Sequence, residues 1–376
     1  MNNKSKILAF YLPQYHPIKE NDQWWGKGFT EWTNVTKAKP LFKGHRQPRF
    51  PADLSYYDLR VPEVREQQAE MAKQYGVDGF IYYHYWFGNG KQLIERPFNE
   101  VLSSRKPDFP FCLCWANQTW SGIWHGAPNK VLIKQEYPGK EDTEKHFQYL
   151  FKAFEDPRYI RIDRKPLFMV YDLYDLPNPK AFADALKEAA IKAGFEGVYL
   201  MAANVNPDNW DMVANGFDGK VSNAYNQSLN HLLYQHKGFK RFLASLSYRV
   251  YRDEDRALKI IDHRKLVAQT NFTVGNAPTY PIVVPNWDNT PRSGKRGVVF
   301  LNSSPELLQV QLHKAKEFLE TQTLPEHLVF LKSWNEWAEG NYLEPDSVDG
   351  YKYLEAIKNF KFSSSAEQIL DKKMNI

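Results

Sequence analysis

The 376-residue sequence predicts an α/β chain folded as a (β/α)8 TIM barrel. Three observations point there. Eight short apolar, β-branched or aromatic runs recur along the chain. Stretches with helical periodicity lie between most of them, as an alternating parallel architecture requires. Each run is followed by Trp, Tyr, Asn, Asp, His or Glu, at the place where a barrel of this kind keeps its chemistry.

Residues 7–11 read as the first strand. The stretch that follows, 13–55, far exceeds ordinary loop length and carries Trp24, Trp25, Glu31 and Trp32. It is too aromatic for a disordered segment, and it is expected to cover the site. A helix over 62–75, stopped at Gly76, leads to the second run, 79–83. Helices over 92–103 and 142–154 frame the third run, 110–115, and lead to the fourth, 166–171. A helix over 179–193, stopped at Gly194, precedes the fifth run, 198–203. Glycine supplies the left-handed conformation with which such helices end. The sixth run, 219–224, opens on a second long stretch, 226–273, with helical periodicity over 240–256 and 264–269. We read it as a helical insertion in the sixth unit; a small subdomain is the alternative. The seventh run, 281–285, a helix over 305–321, the eighth run, 328–333, and a helix over 350–359 complete the pattern. One catalytic domain over residues 1–376 is expected.

Composition narrows the function classes. The 49 basic and 44 acidic residues leave a net charge of +5 that is spread along the chain, so nucleic acid is not implied as a partner. A mean hydropathy of −0.60 describes a soluble globular protein. The apolar run at 7–12 is too short for a secretory signal and no stretch is long enough to span a membrane, so a cytoplasmic location without stable membrane insertion is expected. Cys112 and Cys114 share one face of a strand and read as small apolar groups rather than a disulfide. His16 and His84 lack the paired spacing of a metal site, so no metal or cofactor is expected. The sequence carries no signature of an oligomeric state.

The strand ends supply the candidate ligand contacts. Tyr11, Tyr15 and His16 lie at or after the first strand, His84 and Trp86 at or after the second, and Trp115, Asn117 and Trp120 at or after the third. Asp172 follows the fourth, Asn204 the fifth, Tyr225 the sixth, and Trp287 and Asp288 the seventh. The eighth delivers Trp334, Asn335, Glu336, Trp337 and Glu339, with Glu344 just beyond. Aromatic rings stack on sugar faces while amides and carboxylates bind hydroxyls, so the set suits an oligo- or polysaccharide, in a pocket with few Lys or Arg. The alternative for any one of them is barrel core or turn former.

Glu336 and Glu339, three residues apart, come to the same side in a helical or turn conformation. Glycosyl transfer needs one carboxyl to protonate the leaving oxygen and another as base or nucleophile, and mutual repulsion with aromatic burial separates their pKa values. Spacing alone also fits two solvated glutamates at a helix start.

The segment Trp-Asn-Glu-Trp-Ala-Glu-Gly-Asn-Tyr-Leu-Glu at 334–344 resembles the catalytic segment of glycoside hydrolase family 99. Nearly the whole chain is similar to the family-99-like WbsX proteins of bacterial O-antigen and polysaccharide loci, which are labelled glycosyltransferases. That likeness rests on the segments at 9–16, 28–32 and 114–117. The resemblance implies a (β/α)8 barrel and metal-free, retaining endo cleavage of α-mannosidic linkages. By position it makes Glu336 the base that takes the substrate 2-hydroxyl proton and Glu339 the acid that protonates the leaving group, and it matches Glu344 to a further carboxylate. Ala338 stands where the hydrolases carry histidine, and Asn341-Tyr342 where they carry Thr-Gln, so contacts near the leaving group differ. A retaining endo-glycosidase of mannoside-like residues is therefore expected. One alternative is a glycosyltransferase of O-antigen or capsule assembly, although Asp172 and Asp175 have the wrong spacing for a metal-binding Asp-x-Asp motif of the nucleotide-sugar kind. The other is a non-catalytic glycan-binding protein, against which the retention of both glutamates argues.

Overall fold

The computed structural model describes residues 5–122, 127–204, 211–234, 258–275 and 277–362. Eight parallel strands form its centre: β1 (Lys6–Tyr11), β2 (Gly79–His84), β3 (Phe111–Trp115), β4 (Lys165–Asp172), β5 (Tyr199–Asn204), β6 (Gly219–Val221), β7 (Thr279–Tyr280 and Ile282–Val283) and β8 (Leu328–Leu331). β1 lies between β2 and β8, with Ala9 beside Phe80 on one side and Leu331 on the other. The order runs on through β3, β4, β5 and β6.

β7 closes the ring. Its first half pairs with β6, Tyr280 beside Val221, and its second half pairs with β8, Val283 beside Leu331. Pro281 sits between the halves. It has no N–H to give to a ladder, but its carbonyl accepts from Phe330 N–H at 2.9 Å. The predicted fold class is therefore the observed one, with the seventh strand interrupted. Residues of β2, β3 and β8 are buried throughout, which is why these strands read as unbroken apolar runs instead of alternating ones.

Helices Pro62–Gln74, Pro179–Lys192 and Pro305–Glu320 start with proline in the first turn, where its missing N–H costs nothing. Asn178 and Ser304 cap the latter two by accepting from Ala181 N–H at 3.0 Å and Leu307 N–H at 3.2 Å. Gly76 and Gly194 end their helices at φ +87° and +93°. Helices Arg96–Ser104, Lys140–Phe154 and Lys352–Phe362 also lie where periodicity placed them, within a few residues.

The long stretch after β1 holds two short helices, Lys19–Trp25 and Glu31–Lys37, the second started by reciprocal hydrogen bonding of Thr30 and Thr33. The sixth run is shorter as a strand than its apolar length: it stops at Val221, and Ala224 already begins helix Ala224–Tyr234. The stretch 226–273 contains most of that helix, helix His263–Gln269 and a strand, Lys259–Asp262, paired in parallel with Val298–Leu301. It is thus not purely helical, and the helix expected over 240–256 lies outside the described residues. Among the described residues no helix is long and apolar enough to cross a membrane.

Candidate active site

Beyond β8 the chain folds into a tight hairpin, Asn335–Glu336 antiparallel to Asn341–Tyr342, joined by a 3-10 turn at Trp337–Glu339. Gly340 ends the turn at φ +58°, and a Cβ there would meet the Asp288 backbone nitrogen at 2.8 Å. Only glycine allows that approach, which lets Asp288 N–H donate to the Glu339 carbonyl at 2.7 Å. The Asn335 side chain mimics a strand partner, accepting from Leu12 N–H at 2.7 Å and donating to Leu12 carbonyl at 3.0 Å. Trp337 stacks on Tyr342 with centroids 3.8 Å apart and packs on Trp32. The Tyr15 hydroxyl donates to the Asn335 carbonyl and accepts from Trp337 N–H.

This framework presents Glu336 and Glu339 from the two ends of one turn to a single chamber of about 230 Å³ at the strand C-termini. Both are buried, at 6% and 7% exposure, so they are not solvated glutamates at a helix start. Glu336 accepts from Ser333 Oγ at 2.5 Å. Burial and the charge of Glu339 push its carboxyl up, against the pull of Lys332 and Arg292. Arg292 donates to Glu339 at 2.6 Å and reaches Glu31 at 3.0 Å, bridging the two carboxylates. Burial also raises Glu31, and Arg292 opposes it. Asn21 lines the same chamber at 1% exposure, and neither its Oδ1 nor its Nδ2 has a partner among the described residues.

A second chamber of about 250 Å³ adjoins the first, and Tyr83, Tyr171 and Lys332 line both. The Lys332 ammonium lies 5.3 Å from the centroid of Trp287 and 6.0 Å from that of Tyr171. Burial works against its charge, but Tyr171, Glu336 and Glu339 together hold it above the ordinary lysine value.

The candidate residues divide between these chambers and the layer under them. Trp25, Glu31, Trp120, Glu336 and Glu339 line the first chamber; Asn204, Tyr225 and Trp287 line the second. Trp24 packs edge-on to Trp120 from behind. The others are not on a chamber wall. Tyr11 donates to Gln68 at 2.6 Å on the outer side of the barrel, and Trp32 donates to the Tyr57 carbonyl at 2.8 Å. His84 bonds His146 at 2.9 Å, and burial lowers it to about 3; burial lowers His16 to about 4. Trp86 stacks on His146, Trp115 donates to the Trp86 carbonyl, and Trp334 packs on Phe80. Asn117 binds both the N–H and the carbonyl of Asp172, whose carboxylate accepts from Gln118.

Asp288 and Glu344 are candidate carboxylates that are buried and whose direct contacts are all framework. Asp288 accepts from His45 at 2.8 Å, Gln47 at 2.6 Å and Thr290, tying the first loop to the end of β7. Glu344 accepts from Tyr57, Trp337 and Gln68 at 2.9, 2.6 and 2.6 Å, and burial pushes it up to about 7 despite those bonds.

Two cations that were not among the sequence candidates, Arg292 and Lys332, project into the cleft. Arg292 lies in the short helix Thr290–Ser293 just after the β7 strand end, and Lys332 directly precedes the motif at 333–340, so both were within reach of the strand-end rule. Asn21 carries no local signal at all.

Comparison with known proteins places the chain. The family model described as Glycosyltransferase WbsX matches residues 7–357. The chain is 36% identical over 356 residues to WxcX, an uncharacterized protein of Xanthomonas campestris pv. campestris, covering 94% of this chain and 49% of that one. It thus spans about half the length of the curated relatives it matches. Among solved structures, a glycoside hydrolase-like protein superposes with a TM-score of 0.62 at 14% identity, covering 96% of this chain and 95% of the other. The family GH99 endo-alpha-mannosidase of Bacteroides thetaiotaomicron superposes with a TM-score of 0.54 at 16% identity over 98% of both chains. At such identities these two structures speak for the fold.

Proposed function

We propose, from the premise that the chain belongs to the WbsX glycosyltransferase family and is a carbohydrate-active enzyme, that it processes glycans as a retaining endo-glycosidase using Glu336 and Glu339. The observation that carries this reading is the pair of buried carboxylates delivered by one turn into one chamber, Glu336 against Ser333 and Glu339 against Arg292. Glu336 takes the proton of the substrate 2-hydroxyl, whose oxygen bonds to the anomeric carbon as the glycosidic bond breaks. Glu339 gives its proton to the departing oxygen. Water then opens the anhydro-sugar with the roles reversed, and the configuration is retained. A carboxylate raised by burial is the stronger base, which suits Glu336. Arg292 is shared with Glu31, so its charge has a second carboxylate to rest against when Glu339 carries a proton.

A glycosyltransferase is the second reading, favoured by the family's description and by a second chamber able to hold an acceptor sugar where a hydrolase would admit water. Incubation with α-linked oligosaccharides, mannosides among them, and with O-antigen preparations, read by mass spectrometry and NMR, separates the two. Shortened products with retained anomeric configuration support the hydrolase; lengthened products with nucleoside diphosphate release support the transferase. Product formation undiminished in Glu339→Gln would sink the assignment of that residue.

A further inference from the structure

Lys332 stands out in the cleft because its donors are uncommitted. Arg292 spends its guanidinium on Glu31 and Glu339. The Lys332 ammonium, by contrast, makes no hydrogen bond and no ion pair among the described residues, although Glu336 and Glu339 lie close enough to act on its charge. Its ammonium is flanked by the rings of Trp287 and Tyr171 at the boundary of the two chambers. A strongly hydrated ammonium left unpaired in an aromatic-walled cleft is costly to desolvate unless an anion arrives with the ligand. The second chamber supplies the rest of such a site. Asn223, 8% exposed, lines it with an unpartnered Oδ1, and Ser222 and Asn204 add polar groups that read hydroxyls. The face of Trp287 offers a platform for a pyranose ring.

We propose that the second chamber is a subsite for an acidic sugar, a hexuronate residue whose carboxylate pairs with Lys332. This rests on the glycan-processing reading above and adds the charge of the substrate to it. A carboxylate is favoured over a phosphate by charge. One lysine balances one negative charge, while a phosphate of nearly two would be left facing Glu336 and Glu339 without a second free cation among the described residues that line the chamber. The unpartnered Asn223 carbonyl oxygen accepts from a ring hydroxyl, so the subsite reads both the charge and the polyol.

The test uses the full chain and two matched probes: hexuronate-containing oligosaccharides, and the same oligosaccharides after carboxyl reduction to the neutral hexose. Binding is followed by calorimetry and turnover by mass spectrometry, for wild type, Lys332→Met and Lys332→Arg. Wild type is expected to prefer the acidic probe by about 10- to 100-fold, the range of a charge-assisted hydrogen bond. Lys332→Met should erase that preference, and Lys332→Arg should keep most of it. Equal binding of both probes by wild type overturns the acidic subsite while leaving glycan processing intact. An equal loss on both probes in Lys332→Met, with a displaced pH profile, also overturns it, because Lys332 would then act through Glu336. An acidic preference that is abolished when inorganic phosphate is added at low concentration would reassign the site to phosphate. Failure to bind or turn over any glycan removes the glycan-processing reading and the subsite together.

Discussion

The chamber wall and the layer beneath it are built from the same residue types to opposite ends. On the wall, among the described residues, Asn21 has neither amide atom paired, the Lys332 ammonium has no ion pair, and Glu336 accepts a single hydrogen bond from a side chain. Beneath it, Glu344 accepts three, Asp288 accepts from three side chains, and the Asn335 amide is closed on Leu12. Polar groups that lack a protein partner while buried cost free energy that a ligand can recover; polar groups fully paired to the protein hold the backbone instead. The difference separates groups open to the chamber from groups that hold the backbone, even among carboxylates eight residues apart.

That contrast can be broken by substitution. Glu336→Gln keeps the shape of a wall residue but removes its proton chemistry, so turnover should fall by about 1,000-fold with unfolding in urea unchanged. A large loss of stability in that variant would move Glu336 into the framework. Glu344→Ala should do the reverse in kind, leaving Tyr57, Trp337 and Gln68 as buried donors without an acceptor and costing about 3 kcal/mol in denaturant unfolding. An unaltered unfolding midpoint would show that the layer has slack. Asn21→Leu should spare stability and reduce kcat/KM by roughly 10- to 100-fold, the worth of one or two hydrogen bonds to sugar hydroxyls. Unchanged kinetics would mean that the amide meets water only.

The smallest effect concerns pH. His84 is neutral in the fold because burial lowers it to about 3 from 6.5, and burial lowers His146, beside it, as well. Both bind protons more readily when unfolded. The His84 contribution to stability is therefore full above pH 6.5 and is lost as pH falls toward 3, by up to about 1.4 kcal/mol per pH unit, and His146 adds a loss of the same sign. Urea unfolding at pH 7.5 and 5.0 should show that loss, and His84→Gln should make it shallower. A flat profile would show that the pair is not buried in solution.

The barrel was legible because strands buried on both faces are apolar without interruption, and because proline starts and glycine stops mark the helices between them. The break in β7 was not, since nothing in the run 281–285 says that Pro281 hands the strand from one neighbour to the other. At the site, the strand-end rule located the right rim but not the right side of it. His84 follows Tyr83 and precedes Tyr85; the tyrosines face the chamber, and the histidine turns outward to His146 of helix Lys140–Phe154. Tyr11 likewise turns out to Gln68 while its neighbour Phe10 turns in. Successive side chains alternate across a sheet, so a list of residues near a strand end mixes wall with backing. Arg292 was missed for a different reason: its partners Glu31 and Glu339 lie 261 and 47 positions away, and only tertiary structure joins them.

The seating of β1 between β2 and β8 has a kinetic side. A chain growing from its N-terminus makes β1 and β2 early, but β1 receives its second neighbour only when residues 328–331 emerge. The hairpin bearing both glutamates follows within a dozen residues and docks on Leu12 through Asn335. Ring closure and placement of the glutamate pair are therefore nearly one event, dependent on contacts such as Leu12 to Asn335, 323 positions apart. If the pair is catalytic as proposed, the appearance of turnover would serve as a clock for the closing of the barrel.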